Sequence, residues 1–261
     1  MVEAEHAQSD RARGDDPPQD YWRPYASGFR ADPRRTGDQL ADRLVREVTA
    51  KQTLIDVGAG GGRLALPFAL RCEHVVAVEP SASMVSVLLE TASEFDINNV
   101  SVVESDWQGA QVDPADVVLC VHVLYTIREI DAFLKKLDAH ARDKVLIVLF
   151  DLAPLSQLRS LWAQIHGEER LQLPSLSELR AMLGELGIEA RVEMLEPQRR
   201  ISFETQEDAL EQLARRLYLT PASAKMDRLT EMLPDILQEH ELKFALKDVQ
   251  PLQAALVSWR T

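Results

Sequence analysis

The sequence predicts an α/β fold in which a mostly parallel sheet is covered by helices on both faces. Three observations lead to this prediction. Short apolar runs alternate with segments of helical spacing between residues 53 and 195, as in parallel α/β domains. The fifth run, 144–150, is nearly all apolar, as a central strand should be. A glycine-rich turn, 58–62, follows the first run where strand should give way to helix.

The first predicted strand, 54–57, leads into a turn with almost no side chains. Glycine adopts positive φ angles easily and lets a ligand approach the backbone closely. Residues 63–70 then return to helical spacing. The turn therefore indicates a ligand site, and its candidate residues are Asp56, Gly58, Ala59 and Gly60.

The second predicted strand, 75–78, ends at Glu79, about twenty residues beyond the glycines. In a strand–turn–helix–strand unit the second parallel strand lies beside the first. Glu79 is therefore expected at the same sheet edge as the glycine turn, where its carboxylate can accept both hydroxyls of a ribose.

The third and fourth predicted strands deliver further candidates to this edge. Strand 100–104 leads into Ser105, Asp106 and Trp107, and an acid beside a flat aromatic suits an adenine. One side chain would bind the exocyclic amine and the other would cover the ring. Strand 116–121 ends at His122. Four consecutive strand ends are thus predicted to bring ligand-binding groups together.

In order and spacing, these segments resemble the class I S-adenosylmethionine-dependent methyltransferases from about residue 40 to the C-terminus. Residues 56–62 resemble the family's first motif, which holds the methionine part of the cofactor. Glu79 matches the ribose acid, and residues 106–107 match the adenine contact. Residues 120–125 resemble the segment beneath the reactive sulfur. The resemblance implies a Rossmann-like, seven-stranded sheet whose last strand, 252–259, is antiparallel.

The resemblance also implies an enzyme that uses S-adenosyl-L-methionine. The residues predicted to bind this cofactor are Tyr25, Asp56, Gly58, Ala59, Gly60, Glu79, Pro80, Met84, Ser105, Asp106, Trp107 and Val121. The candidate catalytic residues are His122, whose imidazole pKa is expected near neutrality, and Tyr125, which could orient a polar group of the acceptor. For both, a residue that only shapes the pocket is the alternative. No metal site is predicted.

The predicted domains are a disordered tail, 1–20, and a methyltransferase domain, 21–261. The aromatic segment 21–29 is expected either to fold over the cofactor or to pack on the sheet edge. Between strands six and seven, residues 202–247 form a helical insertion where the family usually has a hairpin. Because a parallel strand six ends at the ligand edge, the insertion is predicted to cap the pocket. A dimerisation element is the alternative.

A dinucleotide-binding fold is the rival prediction, because residues 60–65 also fit the pattern G-x-G-x-x-A. In that case Asp56 and Gly58 would have no role. Moreover, none of the four tyrosines is followed four residues later by lysine, so the acid of short-chain dehydrogenases is missing. The methyltransferase prediction is therefore preferred.

The net charge of −13 disfavours a nucleic-acid target, because a polyanion would be repelled. The acceptor is accordingly predicted to be a small molecule. Open alternatives are a protein or nucleic-acid target, or cofactor binding without catalysis. Cys72 and Cys120 suggest neither a disulfide framework nor a thiolate metal site. With no signal peptide or membrane-spanning run in the sequence, a cytoplasmic location is expected, while the oligomeric state stays open between monomer and homodimer.

Overall fold

The computed structural model describes residues 1–14, 20–197, 202–240, 243–247, 249 and 251–261. The helices in these ranges are α1 (Val2–Arg13), α2 (Gln39–Leu44), α3 (Ala65–Ala69), α4 (Ala82–Glu94), α5 (Ile130–His140), α6 (Arg159–His166), α7 (Leu176–Glu185), α8 (Gln206–Arg216) and α9 (Ala224–Ile236). The strands are β1 (Thr53–Val57), β2 (His74–Val78), β3 (Val100–Val103), β4 (Ala115–Val121), β5 (Ala141–Phe150), β6 (Arg191–Pro197), β7 (Ser202–Phe203), β8 (Leu237–His240), β9 (Lys243–Leu246) and β10 (Gln253–Arg260). Short 3₁₀ helices span Ala26–Phe29, Val45–Glu47, Leu124–Thr126 and Pro154–Leu158.

The larger sheet has seven strands in the order β3-β2-β1-β4-β5-β10-β6. The pairs from β3 to β5 are parallel. At one end of β5 the Asp151 N–H donates to the Gln253 carbonyl, and at the other end the Thr261 N–H donates to the Asp143 carbonyl. Strand β10 therefore runs antiparallel to β5. The predicted mostly parallel sheet with an antiparallel last strand is confirmed.

The register of the parallel strands sets the position of the site. Val57 of β1 pairs with both Val78 of β2 and Cys120 of β4. Val78 in turn pairs with Val103 of β3. Because the strands are level at these residues, the polar groups that follow them emerge at one edge of the sheet. Strands β1 and β4 are mostly buried, which explains their largely apolar sequences, whereas β3 at the edge of the sheet is only partly buried.

One compact unit comprises Pro18–Leu149, Ala181–Glu193 and Leu256–Thr261, and we call it the glycine-loop unit. Its helix α4 begins at Ser81, whose hydroxyl accepts a hydrogen bond from the Met84 N–H at 3.3 Å. Met84, Val85 and Leu88 lie on the buried face of this helix. The N-terminus of α4, three residues after β2, is thus fixed by a cap and by core packing.

A second compact unit comprises Met1–Pro17, Phe150–Arg180 and Met194–Ala255, and we call it the insertion unit. Helices α6, α8 and α9 share a hydrophobic core with β7 and β9. Segment 202–247, predicted to be helical, contains helices α8 and α9, but it also contains β7, β8 and β9, which form a small antiparallel sheet. The prediction of a purely helical insertion is wrong. Strands of two to four residues show little periodicity in a sequence.

The N-terminal tail was predicted to be disordered, whereas Val2–Arg13 form helix α1. Its buried side chains include Glu5 and Ser9, which both bond to the guanidinium of Arg170. Arg170 is only 4% exposed, so this helix depends on a partner that is remote in the chain. Residues 15–19 of the predicted tail lie outside the described residues, as do residues 241–242 of the insertion.

Helix α9 is capped at its start and contains a proline near its end. Ser223 is the N-cap, and its hydroxyl accepts from the Met226 N–H at 3.2 Å. The helix continues through Pro234 and ends at Ile236. A proline this close to the C-terminus removes only one of the last helical hydrogen bonds.

Candidate active site

The glycine turn departs from β1 with positive φ angles of 75° at Gly58 and 54° at Gly60. A Cβ on Gly58 would lie 2.4 Å from Cγ2 of Val123, which excludes any side chain there. A Cβ on Gly60 would instead meet no atom within 4 Å. The backbone at Gly60 therefore faces open space, and its contact with a ligand stays a prediction.

Glu79 lies beside this turn and is almost fully buried. Its carboxylate accepts hydrogen bonds from the Gly60 N–H at 2.8 Å and from the Ser81 N–H at 3.0 Å. Burial raises the pKa of this carboxyl above its usual value. Glu79 thus connects the ends of β1 and β2, where it was predicted to bind a ribose.

Asp56, the next-to-last residue of β1, is 2% exposed. Burial and the neighbouring charge of Glu79 raise its pKa from 3.8 to about 7, opposed by a hydrogen bond from the backbone of Ala65. The sequence marked Asp56 as a candidate but gave no sign of this shift. Two acidic groups that disfavour each other's ionisation therefore lie under the glycine turn, an arrangement that favours a cationic ligand.

The end of β3 only partly matches its prediction. Asp106 accepts a hydrogen bond from the Gly109 N–H at 2.7 Å and so closes the turn after Ser105. The Trp107 ring is 3% exposed, and the Lys136 ammonium lies 4.8 Å from its centroid. Trp107 is therefore a core side chain, contrary to the prediction that it covers an adenine. Ser105 and Asp106 stay the predicted adenine contacts here.

The end of β4 carries His122 in a left-handed conformation, with φ 58°. Its backbone N–H donates to the Val148 carbonyl at 2.8 Å, and Nδ1 lies 3.0 Å from the hydroxyl of Tyr125. Burial, with a smaller contribution from the positive charge of Arg63, lowers the pKa of His122 from 6.5 to about 4. The expectation of a pKa near neutrality is wrong, because the ring is neutral throughout the physiological range.

Asp20 immediately precedes the aromatic segment, in which Trp22 makes edge-on ring contacts with Tyr25 and Phe29. Phe29 packs on the glycine turn. If Gly61 carried a Cβ, that atom would lie only 3.0 Å from the Cβ of Phe29. The segment therefore contacts the glycine turn directly, which fits both of the expected alternatives.

A cavity of about 580 Å³ adjoins the segment. Residues 20–23 form one side, and residues 80–82 with Glu104 form the other. Pro80 therefore lines an open space, whereas Met84, another predicted contact, is a buried core residue of α4. Val121 ends β4 at the same edge.

The sequence did not reveal three residues that shape this site. Val123 fills the space beside Gly58, Arg63 contributes positive charge near His122, and Asp20 bonds to α4. Val123 and Arg63 lie within segments that the motifs had marked, so only their roles were missed. Asp20 contacts residues about sixty positions away, a pairing for which a single sequence carries no signal.

A family model described as a methyltransferase domain matches residues 29–220, which is well over half of the chain. The chain belongs to this methyltransferase family. The assignment confirms the predicted enzyme class and S-adenosylmethionine as its methyl donor. It also argues against the dinucleotide-binding alternative. A comparison with curated proteins gives no match.

Solved structures with the same fold have low sequence identity. The YcgJ protein of Bacillus subtilis has 17% identity and a TM-score of 0.56, covering 85% of this chain and 97% of its own. Magnesium protoporphyrin IX methyltransferase of Synechocystis, with bound SAH, has 18% identity and a TM-score of 0.51, covering 75% and 89%. A Haemonchus contortus phosphoethanolamine N-methyltransferase has 16% identity and a TM-score of 0.53, covering 85% and 52%. These similarities show the fold.

Two absences are noted for residues 1–14, 20–197, 202–240, 243–247, 249 and 251–261, which the structure describes. No helix among them is both long and apolar enough to cross a membrane. Within the same ranges, no group of three or more His, Cys, Asp or Glu side chains is arranged to hold a metal ion. Cys72 and Cys120 are both buried with free thiols.

Proposed function

We propose that the chain transfers a methyl group in line from S-adenosylmethionine to a small-molecule acceptor, and that the insertion unit selects this acceptor. The observation that carries the proposal is a cavity of about 740 Å³ within the insertion unit. Its volume falls within the range of roughly 300–1,000 Å³ typical of small-molecule sites. The cavity would accommodate a small molecule far better than a folded protein or a nucleic-acid strand.

The lining of this cavity suits an amphipathic acceptor. Leu161, Ile236 and Leu246 provide apolar surface. Gln164 and Ser160 provide amide and hydroxyl groups for hydrogen bonds. The cationic side chains of the lining do not make the cavity strongly positive. Arg159 forms an ion pair with Glu169 at 3.0 Å, and Lys247 donates to backbone carbonyls at the end of α9. We therefore expect an acceptor with an apolar body and one or two polar groups.

The glycine-loop unit would hold the cofactor. Gly60 offers exposed backbone, and Glu79 offers a carboxylate for ribose hydroxyls, so the residues present fit S-adenosylmethionine. When bound, this cofactor supplies a methyl group on a sulfonium that leaves without further activation. The protein has mainly to align the acceptor and to exclude water.

His122 and Tyr125 would orient the acceptor rather than remove its proton. A group with a pKa of about 4 is a weak base near neutral pH, so proton transfer to His122 would be unfavourable. In the tautomer whose Nδ1–H donates to Tyr125, Nε2 is a hydrogen-bond acceptor that can align a hydroxyl or an amine. This role suits an acceptor that ionises easily, such as a phenol or a thiol.

Two further observations support a small acceptor. The net charge of −13 opposes the approach of nucleic acids. Two proteins of the same fold are named for small molecules: a magnesium protoporphyrin IX methyltransferase, and a phosphoethanolamine N-methyltransferase in complex with phosphomonomethylethanolamine.

Incubation with methyl-labelled S-adenosylmethionine tests the acceptor class. Separate reactions contain a mixture of phenols, thiols, amines and carboxylic acids, a protein extract, or total RNA, and formation of S-adenosylhomocysteine is measured. We expect turnover with the small molecules, and Glu79→Ala, in which cofactor binding should be weakened, provides a control with reduced turnover. Label transferred only to protein or RNA, or no turnover with any acceptor, would contradict the proposal.

A substitution within the cavity tests the role of the insertion unit. Replacement of segment 202–247 by a short turn is unsuitable, because Phe203 and Leu213 in this segment share the core of Trp162. Ser160→Trp instead fills the cavity from α6. We expect it to raise the KM for the acceptor by about tenfold or more and to leave S-adenosylhomocysteine affinity unchanged.

The matched control is Glu211→Trp, at an exposed position of α8. This variant should change neither the KM for the acceptor nor the affinity for S-adenosylhomocysteine. Sedimentation of all three proteins addresses the alternative role of the insertion in dimerisation. A dimer that only Glu211→Trp disrupts, together with an unchanged KM in Ser160→Trp, would favour that alternative.

A further inference from the structure

Asp20 joins the start of the aromatic segment to the start of α4. Its Oδ1 accepts from the Ser81 hydroxyl at 2.8 Å, and its Oδ2 accepts from the Ser83 N–H at 3.1 Å. Oδ1 also accepts from the Trp22 N–H at 3.1 Å, which fixes the turn that opens the segment. Hydrogen bonds, first from the Ser83 side chain, hold the pKa of Asp20 at about 2, so the carboxylate is ionised at neutral pH.

We propose that Asp20 is a positioning residue for cofactor binding, because it fastens segment 20–30 to the N-terminus of α4 and so holds this segment against the glycine turn. The inference concerns the cofactor alone and does not depend on the proposed acceptor. Asp20 has no role in the motifs that define the site, and its effect would be exerted through the segment and through Ser81.

The segment is bonded to both ends of helix α4, through Asp20 at the start of the helix and Arg30 at its end. Arg30, at its far end, forms ion pairs with Glu94 and, at 3.6 Å, with Glu90 in the last turns of α4. Between these ends Phe29 lies on Gly61. The Arg30 pairs are about half exposed, so we expect them to contribute little. The contacts of Asp20 should therefore determine whether the segment stays over the glycine turn.

Ser81 links Asp20 to the predicted ribose acid. Its hydroxyl donates to Asp20, while its backbone N–H donates to Oε1 of Glu79 at 3.0 Å. The other oxygen of Glu79 accepts from the Gly60 N–H. A continuous set of hydrogen bonds thus runs from Asp20 through Ser81 and Glu79 to the glycine turn. Movement of Asp20 would disturb the groups that hold the cofactor without removing any of them.

The electrostatics favour an anchoring role over a direct one. The charge of Asp20 raises the pKa of Glu79, which is mildly unfavourable between two carboxylates. At the N-terminus of α4, however, a carboxylate meets backbone N–H groups and the positive end of the helix dipole. The position of Asp20 is therefore best explained by its contacts with α4.

Cofactor binding to three variants tests the proposal. Asp20→Ala removes the anchor, and Asp20→Asn keeps its shape without the charge. The matched control, Asp32→Ala, removes an aspartate of the same chain region that accepts from the Arg34 N–H within its own turn. We expect Asp20→Ala to weaken S-adenosylhomocysteine binding about tenfold, mainly by faster dissociation, with a smaller loss in Asp20→Asn and none in Asp32→Ala.

The fluorescence of Trp22 distinguishes a positioning role of Asp20 from a purely structural one. It is 42% exposed, whereas Trp107, Trp162 and Trp259 are each buried, so acrylamide quenching reports mainly on Trp22. We expect S-adenosylhomocysteine to reduce this quenching in the wild type but not in Asp20→Ala, at temperatures where both proteins are folded.

Ser83→Ala removes the Ser83 hydroxyl, a hydrogen-bond partner of Asp20 on α4, and leaves the Ser81 cap intact. This variant provides the test if Asp20→Ala does not fold. It should show part of the same loss of affinity, and the double variant should be no worse than Asp20→Ala. Unchanged affinity and dissociation rate in both Asp20→Ala and Ser83→Ala would overturn the proposal. So would an equal loss in Asp32→Ala.

Discussion

The glycine-loop unit and the insertion unit differ in how their structures are encoded. In the glycine-loop unit, individual positions have steric or electrostatic constraints that few other residue types satisfy. Gly58 must lack a side chain because Val123 fills the space, and Glu79 must reach two backbone N–H groups. In the insertion unit, the core of α6, α8 and α9 depends on many interchangeable apolar contacts.

This difference explains why the ligand edge of the glycine-loop unit is recognisable in the sequence and the cavity of the insertion unit is not. A ligand that is constant across a family imposes the same local geometry on every member. A variable acceptor imposes a cavity, and a cavity can be built from many side-chain combinations. Substitutions in the glycine-loop unit should therefore have larger and more specific effects than those in the insertion unit.

The largest effect is expected at Gly58. Gly58→Ala combines a positive φ with a Cβ placed 2.4 Å from Val123, so we expect a loss of stability of about 4 kcal/mol and no cofactor binding. The matched control is Gly167→Ala in the insertion unit, where φ is 73° but the space around a Cβ is open. It should cost only about 1 kcal/mol by urea unfolding. Equal losses at both positions would show that crowding by Val123 is unimportant.

Asp56 should make the glycine-loop unit sensitive to pH. Its native pKa of about 7 lies above the ordinary 3.8, so its contribution to stability is complete below pH 3.8 and is lost as the pH rises to 7. Asp56→Asn lacks this loss. We expect the variant to gain on the wild type across this window, by about 2–4 kcal/mol at pH 8.

Urea unfolding of both proteins at several pH values measures this difference, and Asp113→Asn, at an exposed position between β3 and β4, is the control. A difference between Asp56→Asn and the wild type that does not change with pH would contradict the raised pKa of Asp56.

Glu79 and Asp106 were both predicted to bind the nucleoside, but their surroundings differ. Glu79 is buried between two backbone donors, whereas Asp106 already closes a turn through Gly109. Glu79→Ala should therefore weaken S-adenosylhomocysteine binding by about 1.5–3 kcal/mol, and Asp106→Ala by about 1 kcal/mol or less. Isothermal titration calorimetry compares the two. A larger loss in Asp106→Ala would reverse this assignment of the nucleoside contacts.

A smaller effect is expected at His122. The pKa of His122 is about 4, so its imidazole should cause no inflection near pH 6.5 in the rate of methyl transfer. We expect this variant to keep the pH profile of the wild type and to lose about tenfold in kcat/KM through poorer alignment of the acceptor. An inflection near pH 6.5 that is present only in the wild type would restore His122 as a general base.

Most of the fold and the cofactor edge could be predicted, because strand ends and glycines are local signals. The boundaries of β1 and β2 differ from the predicted ones by a single residue. Helix α1 could not be predicted, since its buried polar side chains bond to residues 169–171, which are remote in the chain. The buried ring of Trp107 was also beyond the sequence, because Lys136 on α5 covers it.

The most direct test of the account is calorimetric titration of the unmodified protein with S-adenosylhomocysteine and, separately, with a nicotinamide dinucleotide. The edge formed by Gly60 and Glu79 is assigned to an adenosyl cofactor with a single nucleoside. We predict saturable one-to-one binding of S-adenosylhomocysteine and no heat of binding with the dinucleotide. Binding of the dinucleotide without binding of S-adenosylhomocysteine would contradict the central claim.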